Sequence, residues 1–202
     1  MPKALPRRMH ILILALAACL LLSGCGGRSH SEKASFLKLR AAWLEAGTVT
    51  LRAKVRADYD DRIYDYLLRY EGSVEGGLLT VEEPRLIQGV EAEFTKTGVL
   101  LRYDGVLLET GPLLGDLSPL EAFPLLLRAW QSGSVTNCFR ELWEGTPCLR
   151  AELDLTPAGE TEKRTCLSWF RSSDGKPLHA ELLSEDRTVL FCDFLAEEPA
   201  GA

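Results

Sequence analysis

The chain has 202 residues, with 23 Lys and Arg against 29 Asp and Glu and a formal charge of −6 at pH 7. That length suits one domain with a proper core and is short for two. The acidic balance argues against a nucleic-acid partner and against electrostatic adhesion to anionic headgroups, both of which want clustered Lys and Arg.

The N-terminus reads as a secretory signal. Met1 to His10 carries Lys3, Arg7 and Arg8, Ile11 to Leu22 is an apolar run of 12, and the small pair Ser23-Gly24 precedes Cys25. The run is too short to span a bilayer comfortably. Leu22-Ser23-Gly24-Cys25 resembles the bacterial lipobox. That resemblance implies cleavage before Cys25, diacylation of its sulfur and acylation of the new amino group, hence palmitate-type chains as a membrane anchor. Two or three chains, at about 0.8 kcal/mol per buried methylene, hold far more firmly than one. The expected location is the extracytoplasmic face of a cell membrane. In a two-membrane host, Gly26 rather than Asp after Cys25 permits transport to the outer membrane.

Removing the expected signal peptide, residues 1–24, leaves 178 residues with 20 basic and 29 acidic side chains, a charge of −9. Residues 25–31 are Gly, Ser and His with little apolar content and read as a flexible tether. Residues 32–196 form the expected domain, and 197–202 a frayed tail. From Ser31 to Ala46, Phe36, Leu39 and Trp43 recur at helical spacing, Leu37, Ala41 and Leu44 widen the stripe, and Gly47 stands where a C-cap belongs.

The period then switches to two. Val49, Leu51, Ala53, Val55 and Ala57 alternate with polar residues, predicting a strand with one buried and one wet face. A second strand returns over Ile63 to Glu71. Short strands follow at about 77–82, 86–95, 99–103 and 106–110, with Asp104-Gly105 a two-residue primed turn. Ser118-Pro119-Leu120-Glu121 reads as N-cap, N1 proline and capping-box acid. The helix it opens should run to about Gln131, kinked or split by Pro124 and ended by Gly133. Five more strands are expected at about 134–143, 148–156, 163–171, 177–183 and 188–195. With no βαβ rhythm, the fold class is α+β, mainly β: a curled antiparallel sheet of about eleven strands.

This order of elements resembles the LolA/LolB-like fold, an unclosed antiparallel half-barrel with two or more helices against its concave face. The resemblance rests on Gly77-Leu78-Leu79-Thr80-Val81-Glu82-Glu83-Pro84, on Asp104-Gly105-Val106-Leu107-Leu108, and on Asp174-Gly175-Lys176-Pro177-Leu178 with the closing Phe191-Cys192-Asp193-Phe194. It implies a hydrophobic cavity able to shelter an acyl chain or, as in related lipoproteins of spore-forming bacteria, a surface that regulates a protein partner. Independently, a curled sheet with helices on one face leaves a groove wherever the helices fail to fill it. Candidate cavity residues are Leu51, Val55, Tyr66, Leu68, Leu79, Leu101, Leu120, Phe123, Leu127 and Trp130. Taken singly, each reads first as plain core.

Chemistry for catalysis is not legible. After cleavage only His30 and His179 remain, and the sequence holds no G-x-S-x-G, H-E-x-x-H, phosphate-cradling loop or CxxC. No cofactor, metal or catalytic residue is expected. Asp58, Asp60, Asp61 and Asp65 lack the ordered loop of a calcium motif and read as a solvated turn; Glu82-Glu83 and Glu197-Glu198 read as wet surface. Cys138, Cys148, Cys166 and Cys192 are an even number in a disulfide-permitting compartment. At the simplest hairpin registers, however, Cys138 and Cys166 lie level but two strands apart, about 9.6 Å against a limit of roughly 7 Å. Four free, partly buried thiols are expected. The sequence thus reads as a non-enzymatic envelope lipoprotein, tied to the membrane through Cys25, that binds a hydrophobic moiety or an envelope protein. A regulatory protein with a filled cavity is the second reading, and a hydrolase the last.

Overall fold

The computed structural model describes residues 27–111 and 117–196. The lipobox residues Leu22 to Cys25, the rest of the expected signal and the tail 197–202 lie outside these residues. Eleven strands are present: β1 (Val49–Asp58), β2 (Ile63–Ser73), β3 (Gly76–Glu83), β4 (Glu91–Thr95), β5 (Gly98–Tyr103), β6 (Val106–Gly111), β7 (Ser134–Trp143), β8 (Thr146–Asp154), β9 (Arg164–Arg171), β10 (Pro177–Ser184) and β11 (Arg187–Phe194). They form one sheet in the order β6-β5-β4-β3-β2-β1-β11-β10-β9-β8-β7. The two meanders join where β1 pairs antiparallel with β11, Val55 opposite Cys192. β6 and β7 are the two edges, so the sheet does not close on itself. Among the described residues two α-helices, α1 (Gly27–Ala46) and α2 (Ala122–Ser132), complete the expected half-barrel.

Alternation decides which face is concave. Leu51, Ala53, Val55 and Ala57 of β1 are buried, while Arg52, Lys54 and Arg56 between them point outward. One row running across the sheet is made of small residues: Cys138, Ala151, Ser168, Ala180, Cys192 and Val55 lie opposite one another from β7 to β1. That row leaves depth for a large side chain, and the Trp130 indole fills it. Its Nε1 donates to Ser168 Oγ at 2.8 Å, which satisfies the one polar atom of a fully buried ring.

Helix α2 carries the chain from the β6 edge back across to β7. Its Phe123, Leu126, Leu127 and Trp130, at i, i+3, i+4 and i+7, are all fully buried. Burying side chains of this size contributes about 1.5–3 kcal/mol each. The helix expected from Ser118 is split, just before Pro124. Pro119 to Glu121 form a separate 3-10 turn and α2 starts at Ala122, so Pro124 stands in the first turn, where no N–H needs a partner. Ser118 caps that turn by position only, without a side-chain bond. Gly133 ends α2 as expected, its N–H bonded to Ala129 O at 2.9 Å.

Three other expectations shift. α1 begins at Gly27, four residues before the expected Ser31, and so takes in most of the stretch expected as tether. The strand expected at 86–95 is a 3-10 turn, Arg85–Ile87, and then β4 from Glu91; the Glu83-Pro84 peptide before it is cis. The α1 stripe is narrower than expected. Phe36 is buried and Leu39 and Trp43 pack on the core, but Leu37, Ala41 and Leu44 face solvent. The Asp104-Gly105 turn matches expectation, with both residues at positive φ and Tyr103 opposite Val106. Among the described residues, no helix is long and apolar enough to cross a membrane.

Candidate ligand cleft

α1 lies across the concave face. Near its N-terminus Lys33 Nζ donates to Val135 O of β7 at 3.0 Å, and Arg140 reaches Glu32 at 3.6 Å. Midway, Phe36 meets Phe170 of β9 with centroids 5.8 Å apart. Further along, Leu39 packs down on Gly175, whose φ is +70°; a Cβ there would meet Leu39 Cδ1 at 2.5 Å. The positive φ of the turn favours glycine there, while an added Cβ would push aside only the flexible end of Leu39.

Beyond that contact the helix and sheet part, leaving a cleft of about 410 Å³. Its apolar walls are Leu39, Ala42, Trp43 and Ala46 of α1, Leu51 of β1, and Pro177 and Phe194. Trp43 is held against Trp130, centroids 4.9 Å apart. Arg52, Arg171, Asp174 and Lys176 border the same space. Arg52 pairs with Glu82 at 2.6 Å and Arg171 with Asp174 at 2.9 Å. The volume falls in the roughly 300–1,000 Å³ range of small-molecule sites, and an apolar lining with a few polar groups is their usual chemistry.

Of the ten candidate cavity residues, Leu51 lines this cleft. Val55, Leu68, Leu79, Phe123, Leu127 and Trp130 are in the packed core, with Leu101 and Leu120 half-buried against it. Tyr66 packs on the core and borders a second, polar hollow of about 540 Å³ on the outer face. α2 brings its apolar face onto the middle of the concavity, so the groove survives only beside α1. Sequence reasoning missed Leu39, Trp43 and Phe194 as lining residues. Leu39 and Trp43 carried the right signal, helical spacing, but that signal does not distinguish a side chain under the helix from one at its open flank.

The outer face carries a separate aromatic and ionic cluster. His179 is buried, with Nδ1 2.6 Å from Asp193 Oδ1 and Nε2 3.4 Å from Glu181 Oε1. Its ring stacks on Trp143 at 4.2 Å and 15°, and Trp169 lies 5.2 Å away. Trp169 Nε1 donates to Glu141, and the Arg150 guanidinium sits 5.2 Å from the Trp169 ring and 5.8 Å from that of Phe139. Glu181 also accepts from Thr188 Oγ1 at 3.1 Å. The hydrogen bond to His179 and then the one from Thr188 hold its carboxyl below the ordinary glutamate range, against the opposing effect of burial.

The four cysteines are free, as the register argument expects, and they are buried rather than partly buried. The register itself differs. Cys138 faces Ala151 because Glu144-Gly145 is a tight turn that sets Trp143 opposite Thr146, while a bulge shifts the register only beyond it, between Val135 and Asn137. Cys166 faces Leu153, so it sits one row away from Cys138. Burial pushes the Cys138 thiol up to about 11 and the Cys166 thiol up to about 12. The acidic turn is tied by an ion pair between Asp60 and Arg187.

No family model matches the chain, and no curated relative does either. Solved structures do. The chain is similar to LolA-superfamily structures. A LolA superfamily protein from Nitrosomonas europaea is 14% identical, over 82% of this chain and 94% of that one, with a TM-score of 0.41. LprF from Mycobacterium bovis is 12% identical, over 84% and 94%, with a TM-score of 0.44. A structure of the CwlD amidase from Clostridioides difficile in complex with the GerS lipoprotein matches at 14% identity, over 83% and 95%, with a TM-score of 0.42. At these identities and TM-scores the likenesses carry no functional argument, and the reading below rests on this chain's own residues.

Proposed function

We propose that this protein is a membrane-anchored, extracytoplasmic lipoprotein that binds an apolar moiety, an acyl chain in the first instance, in the cleft beside α1. The cleft carries this reading: about 410 Å³ walled by Leu39, Trp43, Leu51, Pro177 and Phe194 and open at a charged border. An extended chain would lie along the apolar wall with its polar end at Arg171 and Lys176. The anchor is Cys25, on the sequence pattern of a basic segment, an apolar run and Leu22-Ser23-Gly24-Cys25. The role is non-enzymatic: carboxylates stand against both ring nitrogens of His179, which leaves neither free to activate a nucleophile.

Native mass spectrometry of protein purified from cells, paired with titration of a fluorescent fatty acid, tests the reading. The expected result is a bound acyl species, and probe binding that weakens at least tenfold when Ala46→Trp fills the cleft. Probe binding that is unchanged in Ala46→Trp, with no non-covalently bound acyl species in the native protein, would overturn it.

One observation favours a second reading, regulation of an envelope protein without a lipid ligand. The middle of the concavity is filled, with Phe123, Leu126, Leu127 and Trp130 fully buried. Crosslinking in cells that captures one stoichiometric protein, from a preparation holding no acyl species, would select it.

A further inference from the structure

Among the described residues, nothing covers one apolar face of α1. Leu37, Ala41 and Leu44 stand at i, i+4 and i+7 on one side of the helix and face solvent, Leu37 46% and Leu44 55% exposed. The opposite side, through Phe36, Leu39 and Trp43, packs on the sheet. A helix docked on its own domain ordinarily shows water a polar back; this one shows it leucine, with Lys38 and Glu45 beside the stripe.

What lies outside the structure says what covers it. Helix α1 starts at Gly27, two residues after Cys25, so no long spacer separates helix and anchor: the linkage spans at most roughly 7 Å. From Gly27 the rise of about 1.5 Å per residue brings Leu37 roughly 15 Å and Leu44 roughly 26 Å along the axis. An acylated Cys25 therefore holds the start of this apolar stripe within reach of the acyl chains' own bilayer. A helix with an apolar side and flanking lysine, held at the interface, lowers its free energy by lying flat in it.

We propose that the outward face of α1 seats on the lipid bilayer that carries the anchor, with Leu37 and Leu44 in the headgroup and upper acyl region. This rests on the anchoring reading given above. It fixes the domain's orientation: the sheet's convex face points away from the membrane, and the cleft, on α1's flank through Ala42, Trp43 and Ala46, opens within about one helix diameter, roughly 10–12 Å, of the lipid. An acyl chain would then pass sideways between bilayer and cleft with little exposure to water.

The test uses the full lipidated chain in phosphatidylcholine vesicles, its acylation verified by mass. An environment-sensitive fluorophore is placed at Leu37→Cys, Leu44→Cys or Ile63→Cys, the last being an exposed site on the outer face of β2. Nitroxide-labelled lipid is the quencher, and the native cysteines are buried and slow to label. Quenching at 37 and 44 several-fold above that at 63, and lost at 37 when Leu44→Glu is added and at 44 when Leu37→Glu is added, each in protein of unchanged circular dichroism, is the expected result. Equal quenching at all three sites in verified acylated protein overturns the orientation alone. A mature chain with no acyl group on Cys25 overturns the anchoring reading and this proposal with it.

Discussion

Arg40 of α1 donates from Nε to the carbonyl of Trp130 in α2 at 2.8 Å, and from Nη2 to Gly133 O at 2.6 Å. The last carbonyls of a helix have no intrahelical partner, and a cation there also meets the negative end of the helix dipole. One side chain thus ties the two helices, and the same guanidinium lies 5.1 Å from the Phe36 ring. Arg40→Ala should cost roughly 1.5–3 kcal/mol, the usual worth of hydrogen bonds to a charged donor, read as a lower denaturant midpoint. Arg40→Lys should recover part of it, since a lysine cannot serve two carbonyls in a fixed fork.

The Trp130 indole and Ser168 make the second prediction. Ser168→Ala keeps the small residue that the row needs but leaves a buried N–H without its acceptor, a cost of about 1–3 kcal/mol. Ser168→Leu should do worse, because it adds side-chain volume directly where the ring lies. Equilibrium unfolding followed by tryptophan fluorescence measures both.

These two contacts mark where reading the sequence stops. Alternation in β1, the Asp104-Gly105 turn, the helical spacing of Phe36, Leu39 and Trp43 and the Ser118-Pro119-Leu120-Glu121 helix start are local signals, and they lead to eleven strands and two helices. Nothing in the sequence sets Arg40 apart from any helix arginine, or Ser168 from any strand serine. Their roles arise from partners 90 and 38 residues away, set by how the sheet curls. For the same reason the ten cavity candidates follow from local pattern, yet only packing decides that α2 fills the middle and that the space remains beside Trp43, where Leu51 is the one of the ten that lines it. Register slips by one or two residues wherever a bulge intervenes, as after Val135, and periodicity does not reveal bulges.

The thiols give a chemical prediction. With Cys138 held at about 11 and Cys166 at about 12 by burial, the thiolate fraction near pH 8 is at least about 100-fold below that of an ordinary cysteine with a pKa near 8.5. A chain starting after Cys25 should react with almost no thiol reagent while folded. In denaturant without reductant it should release four thiols. Two or fewer would mean that a disulfide forms despite the separation of the strands.

Acid should loosen the outer face before the core. Glu181 has its carboxyl held down first by the hydrogen bond to His179 and then by that from Thr188. Its folded-state value is below its unfolded one, so the stabilisation is present above the unfolded glutamate value of about 4.3 and lost as pH falls through the folded value. Thermal unfolding of the parent chain should therefore drop along this acid limb. Glu181→Gln should lower the unfolding temperature at pH 6 and flatten the limb, so that parent and variant converge near pH 3. The Trp143 ring stacked on His179 supplies a local readout, because loosening of the cluster changes its near-ultraviolet circular dichroism. A difference between parent and variant that stays constant from pH 6 to pH 3 would show that the Glu181 carboxylate is not what the folded state favours.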